Sequence, residues 1–249
     1  MSKSCPSCQA EVKKSAGTCN VCGWSFDETP QKSAVAVRPA ARPKIQAEVE
    51  VAIDIDRTGS SQQFAKGIPL TSDLILHQLE SKARKVTCRV QTHGDIDEGQ
   101  LPILVVEDVG VDQALEEIRK ITYEGGGDPA EHHLDGIEHL LNTTPWSMDP
   151  SKSRGAIISF LTADSKPATS GATPSEIGQK VKDQGVLLYV VCQPTTKLRE
   201  LVDAADGLLF EITNEPEAED LQVIAGKLAA SIVATVGSGA TSPINPDNV

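Results

Sequence analysis

Regular alternation of strand and helix patterns over residues 47–236 constrains the fold of this 249-residue chain more than any other feature. Apolar side chains at every second position, Val49, Val51, Ile53 and Ile55, predict the first strand. Helical patterns then alternate with further strands. Such alternation favours a parallel sheet with helices on both faces.

The sequence predicts six strands and six helices in this region. After the first strand, the predicted strands are residues 86–91, 101–106, 156–161, 186–192 and 208–212. The predicted helices are residues 70–83, 111–121, 129–141, 174–184, 197–204 and 217–235. Only residues 93–100 join the second strand to the third, and this segment is too short for a helical crossover. We therefore expect those two strands to pair antiparallel at one edge of the sheet.

Side chains that carry oxygen atoms follow the first strand. Asp56, Thr58 and Ser60 stand at every second position at its end. Mg²⁺ prefers oxygen ligands, keeps several waters and takes only one or two carboxylates. The loop is therefore a candidate metal site, although the same residue types are common at any junction of strand and turn.

The run from Asp56 to Ser60 resembles the Asp-x-Ser/Thr-x-Ser signature of von Willebrand factor A domains, which forms their metal-ion-dependent adhesion site. The resemblance covers essentially residues 47–236. It implies a doubly wound, mostly parallel six-stranded α/β sheet with one antiparallel edge strand.

Two further loops carry the same resemblance. Residues 125–131 are similar to the Gly-Gly-Gly-Asp-x-Pro-Glu run of many members of that family, with Pro directly after Asp128. Residues 160–167 are similar to the Leu-Thr-Asp-Gly segment, with Ala163 inserted before Asp164. The insertion makes Asp164 the least secure of the implied ligands.

The resemblance implies both a set of metal ligands and a function. The ligands of Mg²⁺ or Mn²⁺ would be Asp56, Thr58, Ser60, Asp128 and Asp164, with Asp128 at a position that Thr often fills. One coordination position would remain for a carboxylate from a partner protein. The expected function is non-enzymatic protein binding by an adaptor, of the kind found in bacterial stress or defence systems.

Several residues near these loops have plainer interpretations. We expect His132 and His133 to be exposed residues of the helix after the glycines rather than zinc ligands. Glu131 is expected to be a charge that the helix N-terminus favours. Asp54 is expected to lie behind the ligands or under a helix end. Thr162 is expected either to orient the carboxylate of Asp164 in the third loop or to pack in its strand.

Two C-x-x-C pairs stand near the start of the chain, at Cys5, Cys8, Cys19 and Cys22. Four thiolates at this spacing suit tetrahedral Zn²⁺. A redox pair would need a surrounding βαβ unit, and disulfides would need an oxidising compartment. The segment resembles the N-terminal zinc ribbons of many bacterial proteins, so residues 1–26 are predicted to form a zinc ribbon and a second interaction module.

Composition separates two further segments from these domains. Residues 27–46 hold three prolines and little apolar periodicity, which predicts a linker. Residues 237–249 are rich in Gly, Ser, Pro and Asn, which predicts a disordered tail.

Charge and hydropathy limit the partners. The chain carries a net charge of -12, and the acidic excess lies in residues 47–249, so binding to nucleic acid or to an anionic membrane is not expected. The sequence has no obvious membrane span or signal peptide, which predicts a cytoplasmic protein. Cys88 and Cys192 stand alone on predicted strands and are expected to be small buried residues.

Catalysis is not expected, because the chain lacks a G-x-S-x-G elbow and the lysine of a P-loop. Two alternatives stay open beside the adaptor. One is a nucleic-acid-associated protein whose zinc ribbon binds the nucleic acid, with Lys3, Lys13 and Lys14 as the basic residues. The other is a structural subunit whose adhesion site is empty because Ala163 displaces Asp164.

Overall fold

The computed structural model describes residues 2–4, 11–18, 26, 45–127, 130–147, 149–213 and 218–248. The chain divides into two compact units, Met1–Arg42 and Pro43–Val249. In the first unit, strands β1 (Ser2–Ser4) and β2 (Glu11–Lys13) pair antiparallel. Cys5, Cys8, Cys19 and Cys22 lie outside the described residues, so the zinc ribbon stays a prediction.

The described part of the second unit contains eight strands. They are β3 (Ile45–Asp56), β4 (Ala83–His93), β5 (Ile103–Val109), β6 (Ala130–Glu131), β7 (Ser153–Phe160), β8 (Asp164–Ser165), β9 (Leu187–Cys192) and β10 (Leu208–Glu211). Six of them form one sheet in the order β10, β9, β7, β3, β4, β5. All neighbours in this sheet are parallel except β4 and β5, which pair antiparallel at the edge as predicted. Strands β6 and β8 form a separate parallel pair.

Among the residues described for this unit, six α-helices cover the two faces of the sheet. They are α1 (Gly67–Lys82), α2 (Val111–Ile118), α3 (His133–Thr143), α4 (Pro174–Asp183), α5 (Thr196–Ala204) and α6 (Ala218–Ser238). One buried apolar cluster includes Ile53 with residues of α1, α2 and α6, and a second includes Ala52 with residues of α3, α4 and α5. Because successive residues of β3 point to opposite faces, Ile53 and Ala52 enter different clusters. The predicted fold class is confirmed.

The prediction of a helix from residue 129 was wrong at its start. Helix α3 begins at His133, and the two residues of β6 before it are extended. Their backbone groups pair with β8, and the backbone N–H of Lys166 donates to the carbonyl of Glu131 at 2.7 Å. This pairing satisfies the backbone without a helical turn, and it ties the glycine loop to the loop after β7.

The end of the chain also differs from its prediction. The predicted tail, residues 237–249, was expected to be disordered, but α6 continues to Ser238 and the chain then folds back along it. The backbone N–H of Ile244 donates to Oγ1 of Thr235 at 2.8 Å, and Arg154 donates to the carbonyl of Ala240. At the other boundary, β3 begins at Ile45, inside the predicted linker of residues 27–46.

One helix, over Glu219–Ser238, is long and apolar enough to cross a membrane by length and composition alone, which the sequence analysis did not anticipate. Half of this segment is buried in the domain, including Ala225, Leu228 and Ile232 in the cluster that packs on β3. Core helices of globular domains meet the same criterion, so this helix is weak evidence for a membrane span.

Candidate metal-binding site

The candidate site lies where the loops after β3 and β7 meet. These strands are parallel neighbours near the centre of the sheet, and β4 lies on the other side of β3. The chain leaves β3 toward β4 through α1 and later returns to the opposite side of β3 with β7. Ligands in open α/β sheets bind at such a reversal of strand order, outside the carboxyl ends of the strands.

Three of the predicted ligands lie together in the loop after β3. The backbone N–H of Thr58 donates to Oδ1 of Asp56 at 2.9 Å, and the hydroxyl of Thr58 donates to the same oxygen at 2.7 Å. Oγ of Ser60 lies 3.0 Å from Oγ1 of Thr58. Thr58 is extended, and a 3-10 helix over Gly59–Phe64 begins directly after it. Ser60 lies in the first turn of this helix, so its hydroxyl stays beside Thr58 and the chain presents three oxygen-bearing groups together.

Thr162 joins this group from the loop after β7. Its hydroxyl donates to Oδ2 of Asp56 at 2.6 Å and lies 3.1 Å from Oγ of Ser60 and 2.9 Å from Oγ of Ser61. Neither role expected for Thr162, orienting Asp164 or packing in its strand, describes this contact. The hydroxyl instead orients the central carboxylate.

Glu131 also lies at the site, although we expected it to be a charge at a helix N-terminus. The residue belongs to β6, is 2% exposed, and its Oε2 has no hydrogen-bond partner. A Cβ atom on Gly126 would lie 2.9 Å from Oε1 of Glu131 and 3.1 Å from Cβ of Thr58, so these two side chains meet over this glycine. The Glu of the resembling Gly-Gly-Gly-Asp-x-Pro-Glu run was the available signal for this position.

Electrostatics distinguish the two carboxylates. Burial raises the pKa of Glu131 to about 7, helped by the negative charges of Asp56 and Asp95. Burial also opposes ionisation of Asp56, but the neighbouring imidazoles of His133 and His93 and the hydrogen bonds from the two threonines outweigh it and lower the pKa of Asp56. Asp56 therefore stays ionised at neutral pH, whereas Glu131 is only partly ionised there.

A chain of buried polar groups runs beneath these loops. Oδ1 of Asp54 lies 2.9 Å from Nδ1 of His93, and Nε2 of His93 lies 2.9 Å from Nδ1 of His133. Ser159 and Gln91 donate to the carboxylate of Asp54 at 3.1 and 2.8 Å. Asp54 thus lies behind the predicted ligands, one of its two expected positions, whereas the expectation that His133 is exposed was wrong because its ring is fully buried.

The two imidazoles of this chain have opposite pKa shifts. Burial works against the charged form of His93, but the adjacent carboxylate of Asp54 outweighs it, so the pKa of His93 is raised. Burial lowers the pKa of His133 to about 4. His133 is therefore a neutral imidazole at neutral pH.

His132 faces a second acidic cluster. Its Nδ1 lies 3.1 Å from Oδ1 of Asp95, and the ammonium group of Lys166 lies 2.8 Å from Asp95 and 2.9 Å from Asp97. The expectation that His132 is exposed was wrong, because this cluster buries it. Lys166 supplies the positive charge that these carboxylates require.

Asp164 is one of the two remaining predicted ligands. Asp164 lies in β8, and its Oδ2 lies 3.5 Å from the ammonium nitrogen of Lys197. Among the hydrogen bonds of the described residues, none joins Asp164 to Asp56. Asp128 lies outside the described residues. The roles of Asp164 and Asp128 as ligands therefore stay predictions.

The donor atoms at this site suit a divalent cation. Asp56, Thr58 and Ser60 offer the oxygen atoms that hard cations prefer. Oε2 of Glu131 is a buried carboxylate oxygen without a hydrogen-bond partner. Such an atom is uncommon and calls for an explanation such as a bound ion. Asp56, Thr58 and Ser60 would hold the ion, with the Glu131 carboxyl group beside them.

Comparison with known proteins identifies the fold. No family model matches the sequence, and no curated protein matches it. Among solved structures, the crystal structure of the SpRpn10 VWA domain is similar, with a TM-score of 0.52 and 16% sequence identity over 70% of this chain and 93% of that chain. Identity this low shows the fold alone. Together with the strand order and the antiparallel edge, it shows that the second unit of this chain has the von Willebrand factor A fold.

Proposed function

We propose that the second unit is a non-enzymatic protein-interaction domain that binds an acidic side chain of a partner protein through Mg²⁺ or Mn²⁺. The observation that carries the proposal is the grouping of three hydroxyl side chains from two loops around the buried carboxylate of Asp56: Thr58 and Thr162 donate to it, and Ser60 contacts both threonines. A cation held there by few protein oxygens keeps a position for a further carboxylate. Asp128 and Asp164 complete the proposed ligand set.

The hydroxyl groups of the site support binding rather than catalysis. Oγ of Ser61 lies against Thr162, and Oγ of Ser60 lies against both Thr162 and Thr58. An activated serine needs a base within hydrogen-bond reach, and in the described part of the chain neither serine hydrogen bonds to a histidine. The site therefore lacks the pairing of a nucleophile and a base.

The N-terminal unit supplies a second module in this proposal. Cys5, Cys8, Cys19 and Cys22 would hold one Zn²⁺, and the ribbon would act as a second interaction surface in a cytoplasmic adaptor. Its support is the spacing of the four cysteines in the sequence.

The test compares wild type with two aspartate variants. Asp56→Ala removes the central carboxylate, and Asp203→Ala removes an exposed carboxylate of α5 as the matched control. Calorimetric titration with Mn²⁺ should give one Asp56-dependent site in wild type and the control. Affinity purification in Mg²⁺ and in chelator, followed by mass spectrometry, should recover partners that both chelation and Asp56→Ala remove. Recovery of the same partners after chelation and with Asp56→Ala would contradict the proposal.

A structural subunit without a working metal site is the second candidate. The ion pair between Asp164 and Lys197 favours it, because this lysine already neutralises a predicted ligand. In that case, titration with Mn²⁺ would show no site that depends on Asp56, and the domain would bind its partners equally well in chelator.

A further inference from the structure

An acidic cluster outside the Asp56 site contains its own cation. Asp95 and Asp97 of the loop after β4 and His132 before α3 each place a metal-ligating atom within 4.8 Å of the other two. In the described part of the chain, this is the only group of three or more such side chains. Asp95 and His132 are almost completely buried, whereas Asp97 is exposed. The cluster therefore needs a positive charge close to its carboxylates.

Lys166, in the loop after β8, supplies that charge. Its ammonium group donates to Oδ1 and Oδ2 of Asp95 at 2.9 and 2.8 Å and to Oδ2 of Asp97 at 2.9 Å. Oδ1 of Asp95 in turn lies 3.1 Å from Nδ1 of His132. Three oxygen atoms within hydrogen-bond distance match the three donor hydrogens of an ammonium group. The ammonium thus lies among the carboxylate oxygens that a bound ion would use.

The buried carboxylate of Asp95 depends on this cation. A buried carboxylate is costly unless it is paired and hydrogen-bonded. Burial opposes ionisation of Asp95, but the hydrogen bonds from Lys166 and from the backbone N–H of Asp97 outweigh it and lower the pKa of Asp95. Asp95 is therefore ionised at neutral pH. Removal of the lysine would leave a negatively charged group of two carboxylates and an imidazole.

The backbone of Lys166 is also held at this place. Its N–H donates to the carbonyl of Glu131 at 2.7 Å, directly before His132 in the chain. One residue therefore links three segments, which are the loop after β4, strand β6 and the loop after β8.

The loop after β4 also contacts the glycine loop. The side-chain amide of Gln100 donates to the carbonyl of Glu124 at 2.7 Å, and the backbone N–H of Gly126 donates to Oε2 of Glu98 at 3.1 Å. The carbonyl of Gly125 in turn accepts a backbone hydrogen bond of 2.9 Å from the loop after β3. A group that fixes the loop after β4 thus acts on all the loops around the Asp56 carboxylate.

We propose that Asp95, Asp97 and His132 form a cation site that the chain fills with the ammonium group of Lys166. Lys166 is then a positioning residue, because it joins the loops without a second divalent ion. Carboxylate and imidazole groups bind Mn²⁺ and other transition ions, so loss of the ammonium group should open the site to Mn²⁺. This inference does not depend on a metal at Asp56.

The experiment uses the full chain and counts bound Mn²⁺ by electron paramagnetic resonance. Lys166→Met removes the ammonium group and keeps an unbranched side chain, whereas Lys166→Arg keeps a positive charge. Lys180→Met is the matched control, because Lys180 pairs with the partly buried Glu138 at 3.0 Å, outside the cluster. Lys166→Met combined with Asp97→Asn removes a ligand of the opened site. Hydrogen exchange of residues 95–100 reports whether the loop after β4 is ordered.

Lys166→Met should bind one more Mn²⁺ per chain than wild type, and the added Asp97→Asn should remove this extra ion. In chelator, the amides of residues 95–100 should exchange faster in Lys166→Met than in wild type, and Mn²⁺ should restore slow exchange. Lys166→Arg and Lys180→Met should match wild type in both measurements. A lysine that contributed only packing would give no such response to Mn²⁺.

Equal numbers of bound Mn²⁺ in Lys166→Met and wild type would overturn the inference, and so would an extra ion that survives Asp97→Asn. If Lys166→Met folds only in the presence of Mn²⁺, the inference is supported, and failure to fold even with Mn²⁺ would overturn it. The proposed function fails separately, when no Mn²⁺ bound to wild type depends on Asp56.

Discussion

The hydroxyl of Thr162 donates a 2.6 Å hydrogen bond to Oδ2 of Asp56, across 106 residues of sequence. Because Thr58 donates to Oδ1 of the same carboxylate, both oxygens of Asp56 are held before any ligand arrives. Fixing the ligand groups in advance lowers the cost of ordering them on binding. The loop after β7 thus takes part in the site through a threonine.

The substitution Thr162→Val tests this relationship. Valine has a similar shape but no hydroxyl, so a buried carboxylate oxygen loses its donor, which costs about 1–3 kcal/mol. The free energy of unfolding in urea should fall by that amount, and affinity for Mn²⁺ should fall as well. Thr71→Val is the matched control, because Thr71 is buried and its hydroxyl has no partner. Equal losses in both variants would contradict a special role for Thr162.

Both the backbone conformation and the neighbouring side chains of the site require a glycine at position 126. Its φ is +81°, and a Cβ atom would crowd Glu131 and Thr58. Gly126→Ala should therefore lower Mn²⁺ affinity in addition to the cost of about 1–2 kcal/mol for a left-handed residue with a side chain. Gly171→Ala isolates the backbone cost, because Gly171 has φ +79° and open space around it. If calorimetry gives the same Mn²⁺ affinity for both variants, the crowding argument fails.

Patterns of apolar periodicity and loop residues were sufficient to predict the sheet, its antiparallel edge and the grouping of Asp56, Thr58 and Ser60. They could not predict the environment of Glu131 and His133, because helical propensity within this segment competes with the long-range pairing of β6 and β8. That pairing depends on two loops more than 30 residues apart in the chain, as the bond from Leu134 to Ser165 shows. Local helix and strand propensities do not predict such a long-range contact.

Cys88 and Cys192 should resist thiol reagents in the native protein. Burial raises the pKa of each thiol to about 12, assisted for Cys88 by the negative charge of Glu80. Because the pKa is raised, the reactive thiolate is depleted at every pH well below 12, so increasing the pH from 7 to about 9 should not expose it. Iodoacetamide labelling mapped by mass spectrometry should leave both peptides unmodified until denaturant is added. Rapid labelling of either thiol without denaturant would contradict their burial.

Zinc removal should unfold the first unit of the chain and leave the second unit folded. A segment as short as residues 1–26 cannot bury a core of its own, so a bound Zn²⁺ would contribute most of its folding free energy, on the order of 10 kcal/mol. The double variant with Cys5→Ser and Cys19→Ser should lose the single zinc per chain in elemental analysis. The α/β unit has its own buried core, so its melting transition should stay at the wild-type temperature. Full zinc retention would refute the ribbon, and a large fall in that melting temperature would show that the stability of the α/β unit depends on the ribbon.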